Sequence, residues 1–186
     1  VVGLGFVGLS LSSVLASKGH TVIGIDTDKK KCMEISNGRV PIYEPDLEKT
    51  LKIGLKKSLN ISDDFSSIKN SDMIFVTVGT PQKINGEIEL SMIKKAVKSI
   101  GKITRKTKKN PIIFIKSTVI PGTTRKIILP ILEKESGKKA NKDFGVISNP
   151  EFLQESNAIR DTKCPHAIIL GGENTKYMKK AKKFFS

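Results

Sequence analysis

The sequence is poor in arginine and in cysteine, and it lacks a long hydrophobic run. Its 186 residues include 33 basic ones, of which only 4 are Arg and 29 are Lys. Because base readout and bidentate phosphate recognition favour Arg, we interpret the net charge of +15 as a lysine-rich, solvated surface and predict no nucleic-acid partner. No apolar run reaches the ~18 residues of a membrane span, so no membrane partner is predicted either.

The two cysteines, Cys32 and Cys164, are too few for a disulfide framework and show no metal-ligand spacing. A reducing cytoplasm fits them best, and no bound metal is predicted. Each thiol is interpreted as buried or unreactive, although the three lysines at 29–31 could lower the pKa of Cys32.

Short apolar runs alternate with helical patterns along the whole chain. The runs predict buried strands at 21–26, 72–79, 111–117, 144–148 and 166–172. Residues 1–3 are interpreted as the tail of a further strand. Helices are predicted at 6–18, 28–37, 46–57, 90–104, 122–135 and 174–185. Pro130 is expected to end or kink the fifth helix, and Asn174 or Thr175 to cap the last. The fold class predicted is α/β, a doubly wound Rossmann-type parallel sheet with helices on both faces.

A glycine-rich turn stands at the start of the chain, where Gly3, Gly5 and Gly8 have G-x-G-x-x-G spacing. Asp26 follows at the end of the next predicted strand, where a carboxylate can bind ribose hydroxyls and repel a 2′-phosphate. The order of turn, helix and acid therefore predicts NAD as cofactor. The alternative is a tight turn followed by Asp26 as the cap of helix 28–37. Lys31 either covers the ribose or a phosphate, or is simply solvated.

Polar, Pro- or Gly-rich turns follow three later strands, at 78–82, 116–124 and 149–156. Thr80 is expected to offer a free hydroxyl, and Ser117 and Thr118 offer two more, although Ser and Thr also cap helices routinely. Ligands of open α/β sheets bind outside the carboxyl ends of the strands. We therefore expect the glycine-rich turn and these loops to open onto one cleft.

Two glutamates, Glu151 and Glu155, stand four residues apart in the last of these loops. On a helical turn this spacing places both side chains on one face. A paired-carboxylate site is the favoured interpretation, and a short helix with a solvated acidic face is the alternative.

In this order the segments GLGFVGLS, GID, PIYEPDLE, VGTPQ, KSTVIPGTT and NPEFLQES resemble the N-terminal domain of the UDP-glucose/GDP-mannose dehydrogenases. The resemblance covers essentially the whole chain. It implies NAD-dependent oxidation of the C6 alcohol of a nucleotide sugar in two steps, through an aldehyde held on a cysteine. It also implies a nucleotide-sugar substrate and a homodimer of the full-length protein.

The resemblance assigns a role to each matching position. Glu151 would act as acid and base through a water that Thr118 holds, and Glu155 would contact the nicotinamide end of NAD. Phe152 and Leu153, together with the two glutamates, would touch the sugar nucleotide. The other positions implied in cofactor binding are Gly3, Gly5, Phe6, Val7, Gly8, Asp26, Lys31, Val78, Thr80, Gln82, Ser117 and Thr118.

Two departures from the family pattern bear on function. Ser156 stands where the family usually has Gly, which reduces backbone freedom. The family's catalytic Cys and Lys belong to later domains, and neither Cys32 nor Cys164 replaces them. The expectation is therefore an NAD-binding domain of 186 residues, truncated at the start of its first strand, that alone binds NAD weakly and turns over no substrate.

Several alternatives stay open at this point. The segments PIYEPDLE and STV-PGTT favour UDP-glucose as substrate, with GDP-mannose and UDP-N-acetylhexosamines as alternatives. Another Rossmann dehydrogenase, of the 6-phosphogluconate or hydroxy-acid type, is expected to lack NPEFLQES. A noncatalytic dinucleotide-binding module that uses the positive charge is the alternative of another class.

Overall fold

The computed structural model describes residues 1–173 and 175–186. The strands are β1 Val22–Ile25, β2 Leu59–Ser62, β3 Met73–Val76, β4 Ile112–Ile115 and β5 Gly145–Ser148. The helices are α1 Phe6–Ser17, α2 Lys29–Ser36, α3 Leu47–Lys57, α4 Ser91–Lys106, α5 Leu129–Ser136, α6 Ala158–Lys163 and α7 Lys176–Phe185, with a 3-10 helix at Phe65–Asn70 and a π-helical turn at Thr124–Ile128.

The chain forms two compact units, which are described one at a time. The first comprises Val1–Ser67 and Phe152–Ala167, and the second comprises Ile68–Glu151 and Ile168–Ser186. Within the residues that the structure describes, no helix is both long enough and apolar enough to cross a membrane.

In the first unit, β1 and β2 pair in parallel, with Val22 opposite Leu59 and Ile25 opposite Ser62. Val2 adds a parallel bridge to Ile25, in line with the predicted strand tail. Helix α1 packs against α3 and α6. Leu9, Ile25, Leu47 and Leu51 in these elements are fully buried, and so is Leu4 just before α1. This packing fixes the start of α1 directly after the glycine-rich turn.

In the second unit, β3, β4 and β5 form a parallel sheet in that order. All four residues of β4 are buried, as expected of a central strand that is covered on both faces. Phe75 and Phe114 stack at 4.6 Å between ring centroids. Gly145 leaves room for α7, because an added Cβ there would lie 2.6 Å from the Cβ of Tyr177. The predicted α/β class, with parallel sheets flanked by helices, is confirmed.

One predicted strand is wrong, and one predicted helix end is not observed. Segment 166–172 forms no strand, only an antiparallel bridge between Ser148 and Gly171. Ile168 and Ile169 are 38% and 49% exposed, so a longer strand pairing here would bury little apolar surface and gain little stability. The fifth helix does not end at Pro130, because the π-helical turn comes directly before α5 and places the proline in the first turn of that helix, where no N–H is needed.

The cap of the last helix was predicted, whereas one strand and one short helix were not. Thr175 caps α7 as predicted, its side chain accepting a hydrogen bond from the Tyr177 N–H. The alternative cap, Asn174, lies outside the described residues. Strand β2 and helix α6 were not predicted, because their sequences are short and largely polar.

Candidate functional site

The glycine-rich turn of the first unit joins the Val2 bridge to helix α1. Gly3 has φ of +97°, a left-handed conformation that L side chains rarely adopt. Its N–H donates to the Ile25 carbonyl oxygen at 2.7 Å, which holds the turn against β1. Gly3 is therefore required for the turn itself.

The start of α1 is open to a ligand. Gly5 is the N-cap residue and contributes no side-chain cap, and a Cβ added to it would meet no described atom within 4 Å. The first turn carries no acidic side chain, so the positive end of the helix dipole is not neutralised there. Phe6 and Val7 are half-buried in this turn, and Gly8 is buried. A phosphate group of a dinucleotide fits such a helix start.

Asp26 lies at the end of β1 and is held by three donors. Its Oδ2 accepts from the Leu4 N–H at 2.8 Å and from the Lys31 Nζ at 2.9 Å, and its Oδ1 accepts from the Asp28 N–H at 3.1 Å. The cap of α2 is Asp28, whose Oδ1 accepts from the Lys31 N–H, so the interpretation of Asp26 as that cap is wrong. Asp26 instead joins the glycine-rich turn to α2.

Charge and burial act in opposite directions on Asp26. Burial raises the pKa of its carboxyl, but the hydrogen bonds from Lys31, Asp28 and Leu4 outweigh it and leave the pKa below its ordinary value. Lys31 is paired with this carboxylate and its side chain is 29% exposed, so the alternative of a simply solvated lysine is wrong. Asp26 is thus ionised at neutral pH.

The hydroxyls of the second unit tie two loops together. Thr80 donates its hydroxyl to the Thr118 carbonyl oxygen at 2.6 Å, and Ser117 donates to the Val78 carbonyl oxygen at 2.6 Å. The expectation of a free Thr80 hydroxyl is therefore wrong, because a backbone acceptor from the next loop engages it. Gln82 donates its side-chain amide to the Gly86 carbonyl oxygen at 3.1 Å.

The segment that carries Glu151 is fixed through Asn149, which is 1% exposed. The Asn149 N–H donates to the Ile115 carbonyl oxygen at 2.8 Å and its side-chain amide to the Ile169 carbonyl oxygen at 2.9 Å. Lys116 donates its Nζ to the Asn149 side-chain oxygen at 3.3 Å. Burial lowers the pKa of Lys116, and the negative charge of Glu151 opposes this. Asn149 and Lys116 thus set the surroundings of Glu151 within the second unit.

The helical turn expected for Glu151 and Glu155 is wrong. Residues 149–154 form neither helix nor strand, and a turn follows at 155–157. Ser156 has a left-handed φ of +68°, which a right-handed helical turn through Glu155 and beyond does not allow. The argument that both carboxylates share one helical face therefore fails. Glu155 and Phe152 are exposed and Leu153 is half-buried, all three in the first unit.

A buried glutamate that the sequence did not single out holds the turn after Glu155. Glu44, 5% exposed, accepts from the Ser156 N–H at 2.9 Å and from the Ala158 N–H at 2.8 Å. The partners are 112 and 114 residues away along the chain, so no local pattern could have indicated this contact.

Replacing Ser156 with Gly is expected to stabilise the protein by about 0.5–1 kcal/mol, because the left-handed backbone strain exceeds the entropy that glycine adds to the unfolded chain. Denaturant unfolding measures the change. Asn141→Gly is the control: Asn141 also has positive φ, at 65°, but Asn tolerates it and its side chain bonds Glu173. A loss of stability in Ser156→Gly would contradict the strain argument.

The two cysteines differ in burial. Cys32 is buried and its Sγ donates to the Asp26 carbonyl oxygen at 3.4 Å. Burial raises the pKa of the Cys32 thiol and outweighs the lowering effect of Lys31, so the net shift is opposite to the one expected from the nearby lysines. Cys164 is exposed in the first unit.

Comparison with known proteins reveals extensive similarity. The chain is 42% identical over 173 residues to a GDP-mannose 6-dehydrogenase of Pseudomonas syringae, covering 92% of this chain and 40% of the relative. It is 32% identical over 173 residues to a UDP-glucose 6-dehydrogenase of Haloferax volcanii, covering 93% of this chain and 40% of the relative. The chain therefore spans about 40% of the length of these curated relatives.

Solved structures share the fold. A ternary complex of GDP-mannose dehydrogenase from Pseudomonas aeruginosa matches 99% of this chain, with 43% of its own chain covered, at TM-score 0.95 and 38% identity. A UDP-glucose dehydrogenase from Pyrobaculum islandicum matches 99% of this chain, with 41% of its own chain covered, at TM-score 0.90 and 32% identity.

The parallel α/β fold and the glycine-rich turn with its following acid define an NAD-binding domain of a dehydrogenase. The chain belongs to the UDP-glucose/GDP-mannose dehydrogenase family, whose NAD binding domain matches residues 1–186.

Proposed function

We propose that this chain is the NAD-binding domain of a longer nucleotide-sugar 6-dehydrogenase, which oxidises the C6 alcohol to the uronate. The family match over residues 1–186 supports the reaction class. The observation that carries the proposal is the Asp26 carboxylate, ionised and fixed between the glycine-rich turn and α2 by Leu4 and Lys31. NAD, when bound, supplies the hydride acceptor.

In this proposal each unit of the chain contributes different residues to cofactor binding and catalysis. In the first unit, the open start of α1 binds the pyrophosphate, Asp26 and Lys31 bind the adenosine ribose, and Glu155 faces the nicotinamide end. In the second unit, Glu151 exchanges a proton through a water held by Thr118, on loops that Ser117 and Thr80 tie together. The catalytic cysteine and lysine, a homodimeric assembly and a cytoplasmic location belong to the same proposal for the full-length protein.

The sugar nucleotide is the finer part of the proposal. UDP-glucose was the sequence-based prediction, whereas six relatives at 38–43% identity are GDP-mannose 6-dehydrogenases. These relatives favour GDP-mannose, and we adopt it as the proposed substrate, with UDP-glucose as the competing one.

The test is an assay of NADH formation by the full-length protein with GDP-mannose, UDP-glucose and UDP-N-acetylhexosamines in parallel. We expect GDP-mannose to give the highest kcat/KM, with two NADH formed per uronate because alcohol and aldehyde are each oxidised once. A preference for UDP-glucose would overturn the choice of sugar and keep the reaction class. NAD binding without turnover of any nucleotide sugar would overturn the proposal that the protein is an enzyme and would favour a noncatalytic dinucleotide-binding module.

A further inference from the structure

Glu44 is a buried carboxylate whose two oxygens are both engaged by backbone of a distant segment. It is 5% exposed, and its Oε2 and Oε1 accept from Ser156 N–H and Ala158 N–H at 2.9 and 2.8 Å. Hydrogen bonds from backbone N–H groups to an ionised acceptor are among the stronger ones in proteins. All these residues belong to the first unit, so the contact is internal to it.

The segment that Glu44 binds is the turn that carries Glu155. The Gln154 N–H donates to the Asp161 Oδ2 at 3.1 Å. The Asn157 N–H donates to the Gln154 carbonyl oxygen at 3.0 Å. The backbone is thus held on both sides of Glu155, while the Glu155 side chain is exposed. The backbone of the turn is thus held by hydrogen bonds, and the Glu155 carboxylate is exposed to solvent.

Ser156 makes this support necessary. Its φ of +68° is unfavourable for a serine. The Glu44 carboxylate accepts a hydrogen bond from the N–H of the same residue and so stabilises this conformation. Releasing the N–H lets residues 155–157 relax to other conformations. The direction of the Glu155 side chain then changes with them.

We propose that Glu44 is a positioning residue, whose carboxylate fixes the backbone of residues 154–158 and so directs Glu155 toward the bound dinucleotide. This rests on the role of Glu155 in the proposed function. Glu44 itself does not touch the cofactor in this proposal, and its effect passes entirely through the turn.

The first test measures the turn directly, by hydrogen–deuterium exchange of the full-length protein. In Glu44→Gln the side chain keeps its size but places an NH₂ group against one of two backbone donors. We expect the Ser156 and Ala158 amides to exchange at least roughly tenfold faster, as the loss of one such hydrogen bond implies. Glu48→Gln is the control, because Glu48 is exposed and pairs with Lys52 on its own helix. Unchanged exchange in Glu44→Gln would overturn the proposal.

The second test separates positioning from plain stability by titrating NAD into four full-length proteins: wild type, Glu44→Gln, Glu155→Gln and the double variant. We expect Glu44→Gln to weaken NAD binding by roughly tenfold in the wild-type background and to have no further effect when Glu155 is already Gln. Glu44→Asp, which keeps the charge, is expected to restore part of the affinity. An equal loss in both backgrounds, or a lower Tm with unchanged affinity, would overturn the proposal.

These readouts do not depend on the proposed reaction. Amide exchange and NAD affinity are measured without a nucleotide sugar, so failure of the enzyme proposal leaves them interpretable. Conversely, full turnover of GDP-mannose by wild type together with unchanged exchange in Glu44→Gln would reject only the role of Glu44.

Discussion

Replacing Glu151 with Gln in the full-length protein is expected to lower kcat by about 10²–10⁴-fold, the range that general acid–base groups contribute. Gln keeps the shape of the side chain but cannot take up or release the proton of the C6 alcohol. NAD affinity is expected to stay within about twofold of wild type, because in the proposed function Glu151 acts on the substrate and not on the cofactor. Steady-state kinetics and an NAD titration measure the two quantities.

The matched control is Glu87→Gln in the same unit. Glu87 is exposed and pairs with Lys83 in the loop at 82–88, so its loss is expected to leave kcat unchanged. A Glu151→Gln enzyme with wild-type kcat would contradict the assigned role.

The second large effect is expected at Asp26. In Asp26→Asn, one oxygen of the carboxylate becomes an NH₂ group, so the hydrogen bond to a ribose hydroxyl that the proposed function assigns to Asp26 and the ion pair with Lys31 are lost together. Loss of such charged hydrogen bonds corresponds to NAD binding weakened by roughly 10–100-fold. NADP, which the carboxylate repels, is expected to lose much less affinity, so the preference for NAD narrows. Titration of both dinucleotides into the full-length protein measures this.

The same change has a defined pH dependence in stability. The pKa of Asp26 is lower in the folded than in the unfolded chain, so its contribution is complete above the unfolded value of about 3.9 and fades as pH falls through the folded value. Asp26→Asn is therefore expected to be less stable than wild type at neutral pH, and the difference to shrink below about pH 4. Asp28→Asn is the control, because Asn caps helices as well as Asp does. A difference that persists unchanged at low pH would contradict the ion-pair explanation.

The sequence predicted elements whose signals are local. Helices α1, α3 and α4 and strands β1 and β3–β5 were predicted because periodicity and flanking turn residues lie within one window. Strand β2 was missed, since its alternating polar residues Asn60 and Ser62 resemble a loop until the partner β1 is known. Segment 166–172 was wrong for the opposite reason: its apolar run resembles a buried strand, yet Ile169 is 49% exposed.

The same division holds for the candidate site. The glycine-rich turn and Asp26 could be predicted because 26 residues contain the turn, the helix and the acid. The Thr80 hydroxyl was assigned wrongly, because its acceptor on Thr118 lies 38 residues further along the chain. Glu44 could not be found at all, because the backbone amides that it binds lie more than 110 residues away and only the fold brings them together.

The two tyrosines give each unit its own optical signal. The chain has no tryptophan, so with excitation at wavelengths that phenylalanine does not absorb, the ultraviolet emission of these 186 residues comes from tyrosine. Tyr43 in the first unit is 92% exposed, whereas Tyr177 in the second is 1% exposed and donates its hydroxyl to the Lys142 carbonyl oxygen at 2.8 Å. Burial raises the pKa of Tyr177, so in an alkaline absorbance titration its phenolate forms at a higher pH than that of an ordinary tyrosine. Melting of the second unit can thus be followed by spectroscopy without an added label.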